Sequence, residues 1–144
     1  MIYLLRYGAA EDGESKPDDA RELTEKGRRQ SEAAGKALAT LGVEIDACLT
    51  SPKVRASDTA RLACEQLGVD VEEVDELRGG SFDARQLAAG RGDVLLVGHE
   101  PDFSDEVARL TGARVKLKKG GLAIVEDSTL IALLRPADLK AIGA

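Results

Sequence analysis

The chain has 144 residues, 43% of them hydrophobic and 32% charged, with a formal net charge of −6. That is enough chain to bury a core without disulfides or a structural metal, so a single domain over residues 1–144 is expected and wholesale disorder is excluded. The acidic balance and an aromatic content of only 3% argue against nucleic acid as a partner.

Two cysteines, Cys48 and Cys64, without metal-ligand spacing indicate neither a zinc site nor a disulfide framework and read as buried free thiols. Met1 leads directly into Ile2-Tyr3-Leu4-Leu5 without a basic segment or a long apolar run. Neither a signal peptide nor a membrane span is expected, which implies a cytoplasmic address.

In chain order, Ile2–Leu5 is a continuous apolar run ending in Arg6-Tyr7-Gly8, the pattern of a buried central strand that delivers polar groups at its carboxyl end. Residues 11–22 read as polar loop. Thr24 is a candidate N-cap, and Ala34, Ala37, Leu38 and Leu41 repeat at helical spacing before Gly42. A strand over 45–50 closes at Ser51-Pro52, and Ala56, Thr59, Ala60, Ala63 and Leu67 mark a second helix stopped by Gly68. A weak strand over 71–74 and a short helix over 83–89 follow. Val94–Val97 reads as a buried strand ending at Gly98-His99, with a further helix expected around 104–110. Two strands, 122–125 and 130–134, joined across Glu126-Asp127-Ser128-Thr129, are expected to extend the sheet at one edge. Alternating strands and helices predict an α/β fold, a three-layer α/β/α sandwich with a mostly parallel sheet, and ligands outside the carboxyl ends of its strands.

Three of those strand ends carry chemistry. Arg6 follows the first, Ser51 and Arg55 the second, and His99, the only histidine, the fourth. Two guanidiniums and an imidazole converging on one point make an anion site, and the rigid donor fork of arginine matches phosphate oxygens. A lone arginine is commonly spent on a neighbouring acid, and a lone histidine is commonly structural. Their shared placement at strand ends argues for phosphate, with a charged His99 stabilising phosphoryl oxygens. A cysteine phosphatase is the weaker alternative: six residues separate Cys48 from Arg55 where a thiolate loop needs five, and Pro52 interrupts the backbone cradle. Lys116, Lys118 and Lys119 form one basic run, read as solvated strand and turn or as a docking point for a phosphoprotein.

The ordered segments LLRYGAA at 4–10, RELTEKG at 21–27, SPKVRASDTA at 51–60 and VGHEP at 97–101 resemble the histidine phosphatase superfamily in order and spacing. The closing LLRPADLK at 133–140 and the absence of inserted cap segments resemble the SixA-type phosphohistidine phosphatases most. The resemblance implies a phosphoglycerate mutase-like fold whose phosphate pocket is lined by Arg6, Gly8, Arg21, Arg55 and His99, with no metal or other cofactor. In that family the residue after the first arginine is a histidine that attacks phosphorus. Here it is Tyr7. An inactivating change, a pseudoenzyme and an adapted tyrosine nucleophile are the three readings of that residue. Glu76 and Glu100 are candidate general acids, with a surface or turn carboxylate as the plainer reading of each. The implied partner is a protein carrying phosphohistidine, such as a phosphorelay domain in bacterial signal transduction, with phosphate or sulfate in the pocket. Two functions follow: a phosphohistidine phosphatase scaffold impaired by Tyr7, or a binding module for phosphate or phosphoprotein that does no chemistry. Because no segment is long enough to form a lid, an open, shallow site is expected.

Overall fold

A computed structural model describes residues 1–14 and 16–144. The strands are β1 (Ile2–Arg6), β2 (Ala47–Thr50), β3 (Val71–Glu73), β4 (Val94–Gly98), β5 (Leu122–Glu126) and β6 (Thr129–Leu134). They form one sheet in the order β3-β2-β4-β1-β5-β6. β3, β2, β4 and β1 run parallel, β5 is antiparallel to β1, and β6 returns antiparallel to β5. The terminal hairpin thus extends one edge, as its sequence predicts, though its turn is tighter: Glu126 and Thr129 already pair, and Asp127 takes the left-handed backbone with φ 52°.

The helices are α1 (Glu25–Thr40), α2 (Val54–Glu65), α3 (Ala84–Ala88), α4 (Asp102–Thr111) and α5 (Pro136–Gly143). Alternation along the strands divides them into two layers. Tyr3, Leu5, Cys48, Leu95 and Val97 face Ala34, Leu38, Ala60, Ala63 and Leu139 of α1, α2 and α5. Leu4, Leu49, Val94 and Leu96 face Ala84, Phe103, Val107 and Leu110 of α3 and α4. All four residues of the Val94–Val97 run are fully buried, as a central strand covered on both faces requires. The fold is the predicted three-layer sandwich.

Thr24 caps α1, its hydroxyl accepting from Gly27 N at 3.2 Å. α2 packs on α1 closely enough that a Cβ on Gly35 of α1 would overlap Ala63 O of α2. Two elements differ from the sequence reading. The polar segment before Arg21 contains a 3-10 turn, Asp18–Ala20. The residues after β6 fold into α5, whose entry is fixed by Asp138 accepting from Arg135 N at 2.8 Å and from the Arg135 guanidinium. Cys48 and Cys64 are buried free thiols. No helix among the described residues is long and apolar enough to cross a membrane.

Candidate active site

Strand register builds the site. Arg6 pairs with Gly98 at the ends of β1 and β4, and Thr50 with Val97 at the ends of β2 and β4. One residue beyond, Tyr7 N donates to Gly98 O at 3.1 Å and Ser51 N to Val97 O at 3.0 Å. Tyr7, Ser51 and His99 therefore leave the sheet side by side, at the point where the chain crosses from one half of the sheet to the other. Arg55 reaches the same place from the first turn of α2.

The ring of Tyr7 is the hub. His99 lies with its ring centroid 5.3 Å away at an interplanar angle of 55°, and the guanidinium carbons of Arg55 and Arg6 stand 4.9 and 5.6 Å from the Tyr7 centroid. The following loop is pinned hard. Gly8 N donates to Thr59 Oγ1 at 3.1 Å, Ala9 N donates to Gln30 Oε1 at 2.9 Å, and a Cβ on Gly8 would come within 2.6 Å of Gly27 O. Only glycine lets β1 turn this tightly under α1. Arg6 is oriented by Leu117 O, to which Nη1 donates at 2.9 Å. His99 Nε2 and Ser51 Oγ share a hydrogen bond of 2.8 Å.

What these contacts leave over is a set of nitrogens. Arg6 Nε, Arg55 Nε and His99 Nδ1 are buried with no hydrogen-bond partner among the described residues. Buried polar groups in folded proteins are nearly always paired, and three orphans around one ring are a specific departure from that rule. Burial depresses His99 most, and the positive charges of Arg55, Lys53 and Arg6 add to this against the opposing charge of Asp18, pushing its pKa down to about 4. The imidazole is therefore neutral near pH 7, where the sequence reading has it charged. An oxyanion among the same groups acts in the opposite sense and favours the proton. Burial raises the Tyr7 pKa, but the positive charge of Arg55 and the guanidinium N–H groups of both arginines outweigh it, and the phenol ends below its ordinary value.

The matches with known proteins agree with this arrangement. The family model described as histidine phosphatase superfamily (branch 1) matches residues 2–91. The chain belongs to that superfamily. The matched segment carries Arg6, Tyr7, Gly8, Arg21 and Arg55, and ends before His99. An uncharacterised protein of Picosynechococcus sp. is 35% identical over 134 residues, spanning 84% of this chain and 81% of its own length. Drosophila melanogaster Pgam5, a mitochondrial serine/threonine-protein phosphatase, is 40% identical over 74 residues, 51% of this chain and 25% of Pgam5. The solved structure of the protein histidine phosphatase SixA complexed with tungstate superposes with a TM-score of 0.82 at 26% identity, covering 96% of this chain and 99% of that one.

Arg21 Nε donates to Glu11 O at 2.7 Å and Nη1 to Asp18 Oδ1 at 3.2 Å. Asp18 is its link to the site, because Arg55 Nη1 donates to Asp18 O at 2.8 Å and Nη2 lies 3.3 Å from Asp18 Oδ2. Lys53 Nζ adds a contact to Asp18 Oδ2 at 2.9 Å. The lysine hydrogen bond, with the Arg21 and Arg55 cations behind it, holds the Asp18 carboxyl well below the usual carboxylate range. Lys53 and Asp18 escape sequence reasoning, since an acid is the wrong sign for an anion site and nothing in its spacing ties it to Arg55.

The site is also not the open, shallow one expected. Tyr7, Arg55 and His99 are 8%, 5% and 7% exposed, and Asp18 of the Asp18–Ala20 turn lies against the Arg55 guanidinium. Glu100 is committed to structure: its carboxylate accepts from Ser104 N at 2.8 Å and Ser104 Oγ at 2.5 Å, and Ser104 Oγ in turn accepts from Leu117 N. Glu76 lies exposed in the 3-10 turn Asp75–Leu77. Cys48 points into the core between the sheet and α2, away from the Arg55 guanidinium's partners. Lys116, Lys118 and Lys119 are exposed in the irregular segment before β5, not in a strand.

Proposed function

We propose that this chain is a phosphohistidine phosphatase scaffold of the SixA type. Arg6, Arg55, His99 and the Gly8 turn receive a phosphoryl group, and Tyr7 stands in the position of the attacking histidine. The observation that carries this reading is the trio of unpartnered buried nitrogens, Arg6 Nε, Arg55 Nε and His99 Nδ1, grouped about the Tyr7 ring. Tungstate, a phosphate mimic, is the ligand of the similar SixA structure, which supports an oxyanion at the same strand ends. The partner in this reading is a phosphohistidine-bearing protein in the cytoplasm.

For turnover, the Tyr7 oxygen attacks phosphorus, the P–N bond to the substrate imidazole breaks, and the imidazole leaves after protonation. Water then has to cleave the resulting phosphotyrosine. The first step needs phenolate, which at an ordinary pKa near 10 is about one part in a thousand at pH 7. The arginines lower that pKa and recover part of the deficit. They do not make a phosphotyrosyl ester as labile as a phosphoramidate. This chain therefore binds phosphoryl groups and turns them over slowly or not at all. The second reading, a non-catalytic phosphoprotein-binding module, is favoured by the ring that fills the site and by Asp18 against Arg55.

The deciding experiment compares this chain with Tyr7→His on a phosphohistidine protein. A rise of up to about a thousandfold, the shortage of ionised nucleophile at an ordinary phenol pKa, is expected in the histidine variant. Rapid turnover by the unsubstituted chain overturns the reading of Tyr7. Failure of both proteins to turn over, with phosphate still bound, selects the binding module.

A further inference from the structure

A groove of about 540 Å³ lies between α1 and α5, lined by Lys26, Arg29, Gln30, Ala33, Pro136, Ala137 and Lys140. Its lining carries three cations and no acid, on a chain whose net charge is −6. Lys26, Arg29 and Lys140 are all exposed. Neither lysine takes part in an ion pair among the described residues, and Arg29 meets only Glu25, at 3.6 Å between two largely solvated side chains, a contact worth little. Apolar atoms of Ala33, Pro136 and Ala137 floor the cations, so the groove can hold the stem of a side chain as well as its charge.

The groove shares a wall with the candidate active site. Gln30, which lines it, accepts from Ala9 N two residues after Tyr7. The same side chain packs against Gly120, where a Cβ would stand 3.1 Å from Gln30 Cβ, and Gly120 N donates to Tyr7 O at 2.9 Å. Lys118 and Lys119 are exposed beside Gly120, whose N also donates to Arg6 O at 3.1 Å.

We infer that the α1–α5 groove docks an acidic segment of a protein partner, holding it while a neighbouring side chain of that partner enters the site. This inference rests on the phosphoprotein reading above, and it assigns to the groove the contacts that a buried site, with only Tyr7, Arg55 and His99 at its base, does not offer. The occupant is an acidic peptide segment and not a long polyanion, because the groove is short and nucleic acid extending beyond it would meet a net acidic surface. Complementary charge of this kind sets association rate and partner choice, and it weakens as salt rises.

The test is fluorescence anisotropy of a labelled hexaglutamate peptide with the full chain at low ionic strength. Lys26→Glu with Lys140→Glu is expected to weaken peptide binding about tenfold or more, from several exposed charge contacts reversed together. Tungstate affinity, measured separately by calorimetry, is expected to stay unchanged. A charge-matched control, Arg85→Glu with Arg91→Glu on the α3 side of the sheet, is expected to leave peptide affinity within about twofold, because a separation beyond roughly 10 Å is screened. Equal loss in the control, no loss in the groove variant, or tighter binding of a DNA duplex or anionic vesicles than of the peptide overturns the inference. Failure of the unsubstituted chain to bind tungstate removes the phosphate reading instead, and leaves the peptide result standing by itself.

Discussion

Two buried polar clusters, one at the strand ends and one between α3 and α4, show how this molecule treats buried charge. At α4, Glu106 is 4% exposed and fully engaged: it accepts from Ala84 N at 2.6 Å, and from Arg109 Nε and Nη2 at 2.6 and 2.7 Å. Every acceptor there finds a donor inside the protein, and the result is a tie that fixes the start of α3. Around Tyr7 the opposite holds. Arg6, Arg55 and His99 are each anchored by one edge, to Leu117 O, Asp18 and Ser51, and each keeps a buried nitrogen without a partner. Orphaned polar groups cost stability, typically about 1–3 kcal/mol each. A cluster that keeps three of them has been arranged for a ligand, whereas Glu106 has been arranged for the fold.

The comparison is broken most directly at Arg55. Arg55→Ala removes a forked donor and is expected to weaken tungstate or phosphate binding by about a hundredfold or more, given charge-assisted hydrogen bonds of roughly 1.5–3 kcal/mol apiece. Calorimetric titration checks it, and unchanged affinity would place the anion elsewhere. Glu106→Ala gives the reverse pattern. It strips Ala84 N of its acceptor inside the protein, and a stability loss of about 2 kcal/mol in urea melts is expected with no change in oxyanion affinity. A loss of affinity on that side of the sheet would erase the distinction between the clusters.

His99 sharpens the contrast through pH. Its folded-state pKa of about 4 lies below the ordinary value near 6.5, so between these limits the unfolded chain binds more protons than the folded one. Stability from neutral His99 is full above about pH 6.5 and is lost as pH falls toward 4. Between pH 7 and pH 5 the loss is about 2 kcal/mol, to be read from urea melts at the two pH values. In His99→Asn that part of the slope disappears. Bound tungstate supplies the missing negative charge, so proton uptake on binding near pH 6 is expected in calorimetry repeated across buffers.

Much of this was legible before any coordinates. Unbroken apolar runs such as Val94–Val97 report burial on both faces, and the order in which they alternate with helical spacing sets the sandwich and the strand ends that meet. Arg6, Tyr7, Ser51, Arg55 and His99 could be named as neighbours because the register of parallel strands brings consecutive carboxyl ends together. What the sequence concealed is tertiary in origin. Asp18 joins the cluster only because the 3-10 turn folds back onto Arg55 of α2, and the depth of the site shows only in the tertiary burial of Tyr7, Arg55 and His99. Helix α5 was hidden by its shortness, with Pro136 at its first position, a placement that begins helices as readily as it ends them. The phosphate chemistry suggests a charged His99, whereas its burial beside Arg55, Lys53 and Arg6 holds the imidazole further toward the neutral form.

The smallest predicted effect runs opposite to the others. Asp18 places a carboxylate oxygen 3.3 Å from Arg55 Nη2 and 2.9 Å from Lys53 Nζ, so it occupies donors that an incoming oxyanion would use. Asp18→Asn keeps the backbone contact from Arg55 Nη1 to residue 18 O but removes the like charge facing the anion. With the Asp18 carboxylate more than half exposed, solvent screens the repulsion, and an increase of about fivefold in tungstate affinity is expected, in line with surface charge pairs of up to about 1 kcal/mol. The gain should not vary between pH 5 and pH 8, because the cations around Asp18 keep it ionised well below that range, while any change arising through His99 should fall off as the imidazole titrates. Titrations of both proteins at two pH values separate the two. Weaker tungstate binding by Asp18→Asn would show that the aspartate organises Arg55 for the ligand instead of competing with it, and the turn over the site would then belong to the binding machinery.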